Sequence, residues 1–364
     1  MTGRCPLCGR QWAGVTVCPA DGVALITVPA DPPAEPGSPA AERPLAPRAR
    51  ASRHARRTPI VPDQLLEDRY RVQRQVGEGG MSVVYLALDT HTGERVAVKA
   101  LSEDLSSDKT AMARLKREAR LGERLQHPCA CSILALGETT GGLMYVVMPF
   151  LDGEMLCDRT ARLRYIPLAD TVPFVRDIGD GLHAAHSLGI IHRDLKPENV
   201  MLCARPGGGE RAVVMDFGLA KQHRSDTATE KLTATGVVLG TPEFMSPEQL
   251  RGKPLDVRTD IYSMAIMAFE MLTGALPFPG RTKQDMMLAR LQGDPQKLRN
   301  VRPELGFPNA LEEVLAKGMA RDRNRRYRTA PEFATAYAEA ATGAPAPEDT
   351  GGGGVSWWQK LFGR

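Results

Sequence analysis

Three stretches in the first part of the chain's body carry the alternating apolar and polar pattern of extended strands: YRVQRQVG from Tyr70, SVVYLALD from Ser82 and ERVAVKAL from Glu94. A period near two puts successive side chains on opposite faces, so each stretch predicts a half-buried β-strand. The period then lengthens. From about Thr110 to Leu125, apolar residues recur every three to four positions among charged ones, which predicts a helix. LMYVVMPF, from Leu143 to Phe150, returns to strand. Beyond Asp170 the pattern is helical, with Asp170 expected as N-cap and Pro173 in the first turn, where a missing N–H costs little. Further helices are expected over Asp260–Thr273, stopped by Gly274, and over Leu311–Met319. The elements predict an α+β fold: a small β-rich lobe, a larger helical lobe and a cleft between them.

Composition marks off the flanks. Residues 1–28 form a short cysteine-containing module, and residues 29–66 are a linker rich in Pro, Ala and Arg that cannot bury enough apolar surface to fold. Residues 67–340 are the globular body, and residues 341–364 are a Gly-rich spacer ending in VSWWQKLFGR. At 364 residues the chain can bury a substantial core, and its formal net charge of +4 gives no reason to expect nucleic acid as a partner. No apolar run reaches the roughly 18–20 residues of a membrane span, and no secretory leader precedes the body, so a cytoplasmic location is expected. Of the 7 cysteines, Cys5, Cys8 and Cys18 cluster at the N-terminus; the others are scattered, as reduced thiols are.

Candidate chemistry lies in the body. VGEGGMSVVYLA places Gly77 and Gly79 between two strands, where glycine lets backbone N–H groups approach phosphate oxygens. Lys99 ends the alternating VAVK and projects from its strand towards that loop, and Glu118 on the charged helix is placed to hold its ammonium. IHRDLKPENVML gathers Asp194, Lys196 and Asn199 around a stiffening Pro197. Asp216, in VVMDFGLA, emerges at the end of an apolar strand; with Asn199 it offers the oxygen ligands Mg²⁺ takes when it shares a site with phosphates.

In order, the glycine loop, VAVK, the helical Glu118, HRDLKPEN, DFG and the SPE of Ser246–Glu248 resemble the bacterial eukaryotic-like (Hanks-type) Ser/Thr protein kinases over roughly three quarters of the chain. The resemblance implies the bilobal protein kinase fold and transfer of the ATP γ-phosphate to Ser or Thr of protein substrates. It makes Asp194 the proton acceptor and Lys196 the neutraliser of the transferred group, with Asn199 and Asp216 holding Mg²⁺. ATP would be bound by Gly77, Glu78, Gly79, Gly80 and Lys99 braced by Glu118 on the phosphate side. Val84, Ala97, Met148, Pro149, Leu151 and Met201 would serve the adenine side. The same resemblance makes Asp260 the buried anchor of the catalytic loop and Arg326 the partner of Glu248. Thr233 and Thr235 would be autophosphorylated, in a homodimer acting in trans, and Arg193 would receive the phosphate.

The chain departs from the family in two places. Ser82 replaces the third glycine of the loop. Gly122 stands where the family usually has a leucine that completes an apolar stack with Ile133, His192 and Phe217. Two readings are open: a real gap, or a register shift that lets Leu121 fill it. These departures also leave a second class, a pseudokinase or nucleotide-sensing scaffold, beside the active enzyme.

At the N-terminus, CPLCG and CPADG are one five-residue turn written twice, with Asp21 in place of a fourth cysteine. Cys5, Cys8 and Cys18 with Asp21 form a zinc-ribbon-like ligand set for Zn²⁺. The tail, with two tryptophans beside Lys360 and Arg364, suits a peripheral membrane surface, a protein groove or a contact within the chain.

Overall fold

A computed structural model describes residues 2–4, 11–13, 26–28, 60–79, 82–102, 109–217 and 242–343. The chain divides into two units, Met1–Ala55 and Arg56–Arg364. In the first, β1 (Thr2–Arg4), β2 (Gln11–Ala13) and β3 (Ile26–Val28) form an antiparallel sheet in the order β2-β1-β3.

The second unit opens with the sheet that the alternation predicts. It contains β4 (Leu65–Leu66), β5 (Tyr70–Gly79), β6 (Ser82–Asp89), β7 (Arg95–Leu101), β8 (Ala135–Glu138) and β9 (Met144–Pro149), in the order β4-β5-β6-β7-β9-β8. Its two faces divide the side chains by parity. Tyr70, Val72, Tyr85, Val96, Val98, Tyr145 and Val147 bury one face. Ala97, Val146 and Met148 line the other, with Ala119 of helix α1 (Lys109–Gly122) and Ile133.

The helical lobe follows through β10 (Gly153–Met155), α2 (Leu156–Leu163) and α3 (Leu168–Ser187). Strands β11 (Val200–Ala204) and β12 (Glu210–Val214) complete a small sheet in the order β10-β11-β12. After residue 242 come α4 (Pro247–Leu250), α5 (Arg258–Thr273), α6 (Lys283–Gln292), α7 (Leu298–Val301), α8 (Asn309–Gly318) and α9 (Ala330–Thr342). Helix α5 is the centre of this lobe, buried continuously from Thr259 to Phe269 and ended by Gly274 at φ 70°. That positive φ suits glycine, and a Cβ there would also collide with the Arg164 carbonyl.

The start of α3 differs from expectation. Pro167 is the N-cap, so Asp170 is the third helical residue and Pro173 the sixth. Pro173 therefore removes the N–H that would have reached the Ala169 carbonyl, a larger cost than in the first turn. Burial decides the boundary: Thr171 and Phe174 face the core, and the Thr171 hydroxyl meets Tyr337 at 2.8 Å. No helix among the described residues is long and apolar enough to cross a membrane.

Candidate active site

Lys99 lies in β7 between Val84 of β6 and Val146 of β9. Its Nζ is 2.6 Å from Asp216 Oδ1. Asp216 sits just past β12 with φ 59°, a left-handed conformation uncommon outside glycine. The preceding Met215 N–H donates to the Asn199 carbonyl at 2.8 Å. Asn199 Nδ2 in turn donates to the Asp194 carbonyl at 2.7 Å and reaches its Oδ2 at 3.4 Å, while Lys196 Nζ lies 3.8 Å from that Oδ2. Five side chains from four segments thus form one connected group.

Asp260, fully buried at the start of α5, supports this group from below. Its carboxylate accepts the backbone N–H of His192 and of Arg193, each at 2.8 Å, and meets His186 Nε2 at 2.7 Å. These bonds hold Arg193 at φ 65°, and Gln249 Nε2 donates to the Arg193 carbonyl at 2.6 Å. His192 Nε2 meets the Met215 carbonyl at 2.8 Å and its ring lies 5.1 Å from Phe217. Glu248, within the short α4, is bound by Arg326 at 2.6 and 2.8 Å. Burial works against the Glu248 carboxylate, but the Arg326 guanidinium and Thr259 hydroxyl outweigh it and hold its pKa below the usual range.

Glu118 on α1 lines a cavity of about 300 Å³ whose wall also includes Gly122, Ile133, Met148, Asp216 and Phe217. Cys131 is on the same wall, and burial pushes its thiol up to about 12, which leaves it without nucleophilic character at neutral pH.

Of the residues expected to serve adenine, Val84, Ala97, Met148 and Leu151 share one apolar cluster. Pro149 ends β9 opposite Val96, and Met201 lies in β11 between Met155 and Val213. Gly77 and Gly79 pair with Val84 and Ser82, and the exposed Glu78 accepts from Gln75 at 3.1 Å. Gly80, Thr233, Thr235, Cys5, Cys8, Cys18 and Asp21 lie outside the described residues. Among the described residues no group of three or more His, Cys, Asp or Glu is arranged to hold a metal ion. Sequence reasoning missed His186 and Gln249, since only the tertiary fold brings them to Asp260 and Arg193.

The protein kinase domain model matches residues 70–336, and the chain belongs to that family. It is 38% identical over 282 residues to the serine/threonine-protein kinase pkn2 of Myxococcus xanthus, covering 77% of this chain and 34% of that protein. It is 39% identical over 274 residues to the serine/threonine-protein kinase PknE of Mycobacterium tuberculosis, covering 75% and 46%. The chain therefore spans about a third to a half of the length of the curated relatives it matches. Among solved structures, the Mycobacterium tuberculosis PknI kinase domain superposes with a TM-score of 0.63 at 27% identity, covering 78% of this chain and 100% of that one. Rad53 1-466 in complex with AMP-PNP superposes at 0.59 with 25% identity, covering 73% and 64%.

Proposed function

We propose that the chain is an ATP-dependent Ser/Thr protein kinase of bacterial signalling. The observation that carries this reading is the connected group running from Lys99 through Asp216 and Asn199 to Asp194 and Lys196. Phosphoryl transfer asks little covalent chemistry of a protein and much positioning and charge neutralisation. Asp194 accepts the proton of the acceptor hydroxyl, and Lys196 beside it offsets charge on the group in flight. Lys99 directs its ammonium at the α- and β-phosphates, with Glu118 on the neighbouring helix as its brace.

Asn199 commits its amide nitrogen to Asp194, so its oxygen and the Asp216 carboxylate are the hard donors that suit Mg²⁺. When bound, Mg²⁺ and ATP supply the transferable phosphate and the neutralisation of its charge. The apolar cluster of Val84, Ala97, Met148 and Leu151 gives the adenine ring a dry, flat site, with Pro149 and Met201 beside it. Gly77, Glu78, Gly79 and Gly80 cover the phosphates. A pseudokinase would be expected to have lost part of this set. The similarity to named Ser/Thr kinases, and to a structure holding AMP-PNP, supports the same reading.

Regulation follows the same reading. Thr233 and Thr235 are proposed as autophosphorylation sites acted on in trans between two copies of the chain, with Arg193 receiving the phosphate. The C-terminal tail is proposed as a peripheral contact to membrane or protein, and the location as cytoplasmic. The purified chain, incubated with labelled ATP and Mg²⁺, should label itself, and mass spectrometry should place phosphate on Thr233 and Thr235. Lys99→Met and Asp194→Asn should each lower labelling by at least about 10²-fold. Equal labelling in all three proteins would refute the assignment.

A further inference from the structure

Arg290, in the last turn of α6, is a fully buried arginine that nothing in the catalytic group uses. Its Nη1 donates to the Pro242 carbonyl at 2.5 Å. Among the described residues, its Nε and Nη2 are buried without hydrogen-bond partners, and so are Glu243 Oε2 and Tyr262 Oη. Arg290 is close enough to Glu243 and to Tyr262 to act on each electrostatically. The Arg290 guanidinium lies 6.0 Å from the Phe278 ring, which stacks on Tyr262 at 6.4 Å. A buried cation with two unmet donors is unfavourable, and an apolar side chain would pack α6 here at less cost. Stability therefore does not account for an arginine at this position.

Its location suggests what does. The turn it grips, Pro242–Phe244, stands beside the catalytic loop: Phe244 and Glu198 line one cavity of about 430 Å³. Ser263 Oγ donates to the Phe244 carbonyl at 2.7 Å, and Gln249, just beyond, bonds the Arg193 carbonyl. Residues 242–244 thus stand next to the loop that carries Asp194, on a path open to a polypeptide that presents its hydroxyl there.

We propose that Arg290 is a positioning residue for the polypeptide substrate: by holding the Pro242 carbonyl it fixes residues 242–244, and its two unmet donors take up Glu243 when a polypeptide lies on the turn. The inference rests on the phosphotransfer reading above.

The test uses the full chain with ATP and myelin basic protein as acceptor, comparing wild type with Arg290→Met, Arg290→Lys and Glu243→Gln. Arg290→Met should raise the KM for the acceptor about tenfold while the KM for ATP moves less than about twofold. Arg290→Lys keeps one donor for Pro242 and should recover part of the loss. Glu243→Gln, which leaves Arg290 in place, should raise the acceptor KM about threefold. That variant decides the matter alone if Arg290→Met does not fold. A fall in kcat with the acceptor KM unmoved would mark a merely structural arginine and overturn the proposal. An inactive wild type would instead overturn the phosphotransfer reading.

Discussion

Gly122 is the last residue of α1, so it costs the helix less than the roughly 1 kcal/mol of an interior glycine. A Cβ on Gly122 would lie 2.6 Å from Ile133 Cδ1 and 3.0 Å from its Cγ1. The Cβ direction of this glycine is taken by Ile133, and Leu121 lies half-buried on the wall of the cavity that Gly122 also lines. Gly122→Leu should therefore overpack the contact and destabilise the fold by about 1–3 kcal/mol, lowering basal activity with it. Gly122→Ala needs Ile133 Cδ1 to swing aside and Cγ1 to give by a few tenths of an ångström, and should cost less than the leucine, about 1 kcal/mol. Thermal unfolding of the two variants checks this; a more stable leucine variant would mean that a gap exists. That Gly122 stands beside Ile133 was legible in the sequence through the resemblance. That Ile133 itself takes the space of the missing side chain was not, because it comes from a separate segment.

At the scale of elements, α5 carries a charged residue at each end, with opposite consequences. At its start, Asp260 is satisfied by two backbone N–H groups and His186. Near its end, Glu270 has a buried Oε2 without a partner among the described residues, and burial, reinforced by Glu198 and Glu243, raises it to about 7. Arg164 and Arg302 line the same cavity. The folded protein thus keeps a proton that the unfolded chain releases near 4.5. Stability from this group is complete below that value and is lost as pH rises through about 7. Over that window the slope approaches about 1.4 kcal/mol per pH unit. Glu270→Gln should flatten the curve between about pH 5 and 8 and exceed wild-type stability at the upper end, as read by urea unfolding. Parallel curves for the two proteins would contradict it. The end of α5 was legible because Gly274 punctuates it. The start of α3 was not: Asp170 is a good capping residue by type, but the packing of Thr171 and Phe174 moves the boundary back to Pro167. The members of the catalytic group were likewise legible one by one from local motifs, whereas the bond from Lys99 to Asp216 and the anchoring of residues 192 and 193 by Asp260 exist only once distant segments meet.

The whole molecule joins a kinase domain to a separate N-terminal unit. In its sheet Arg4 pairs with Gln11 on one side and Ile26 on the other, so these three residues share one end of the sheet. Cys5 directly follows Arg4, Cys8 lies between β1 and β2, and Cys18 and Asp21 lie between β2 and β3. The segment between β1 and β2 has both its ends there, whereas the segment between β2 and β3 leaves Ala13 at the opposite end and returns to Ile26 at this one. The proposal of one Zn²⁺ held by three thiolates and a carboxylate rests on the doubled turn of the sequence. Binding of this kind requires deprotonated thiols, so the metal should be released on acidification. Metal analysis of the full chain, purified without chelator, should find about one zinc per molecule, and Cys8→Ser should lower it several-fold. Asp21→Ala should weaken retention less than any cysteine change, because a water can take the fourth position. A wild-type chain that carries no zinc, and takes up none when it is supplied, would leave the doubled turn without a metal role.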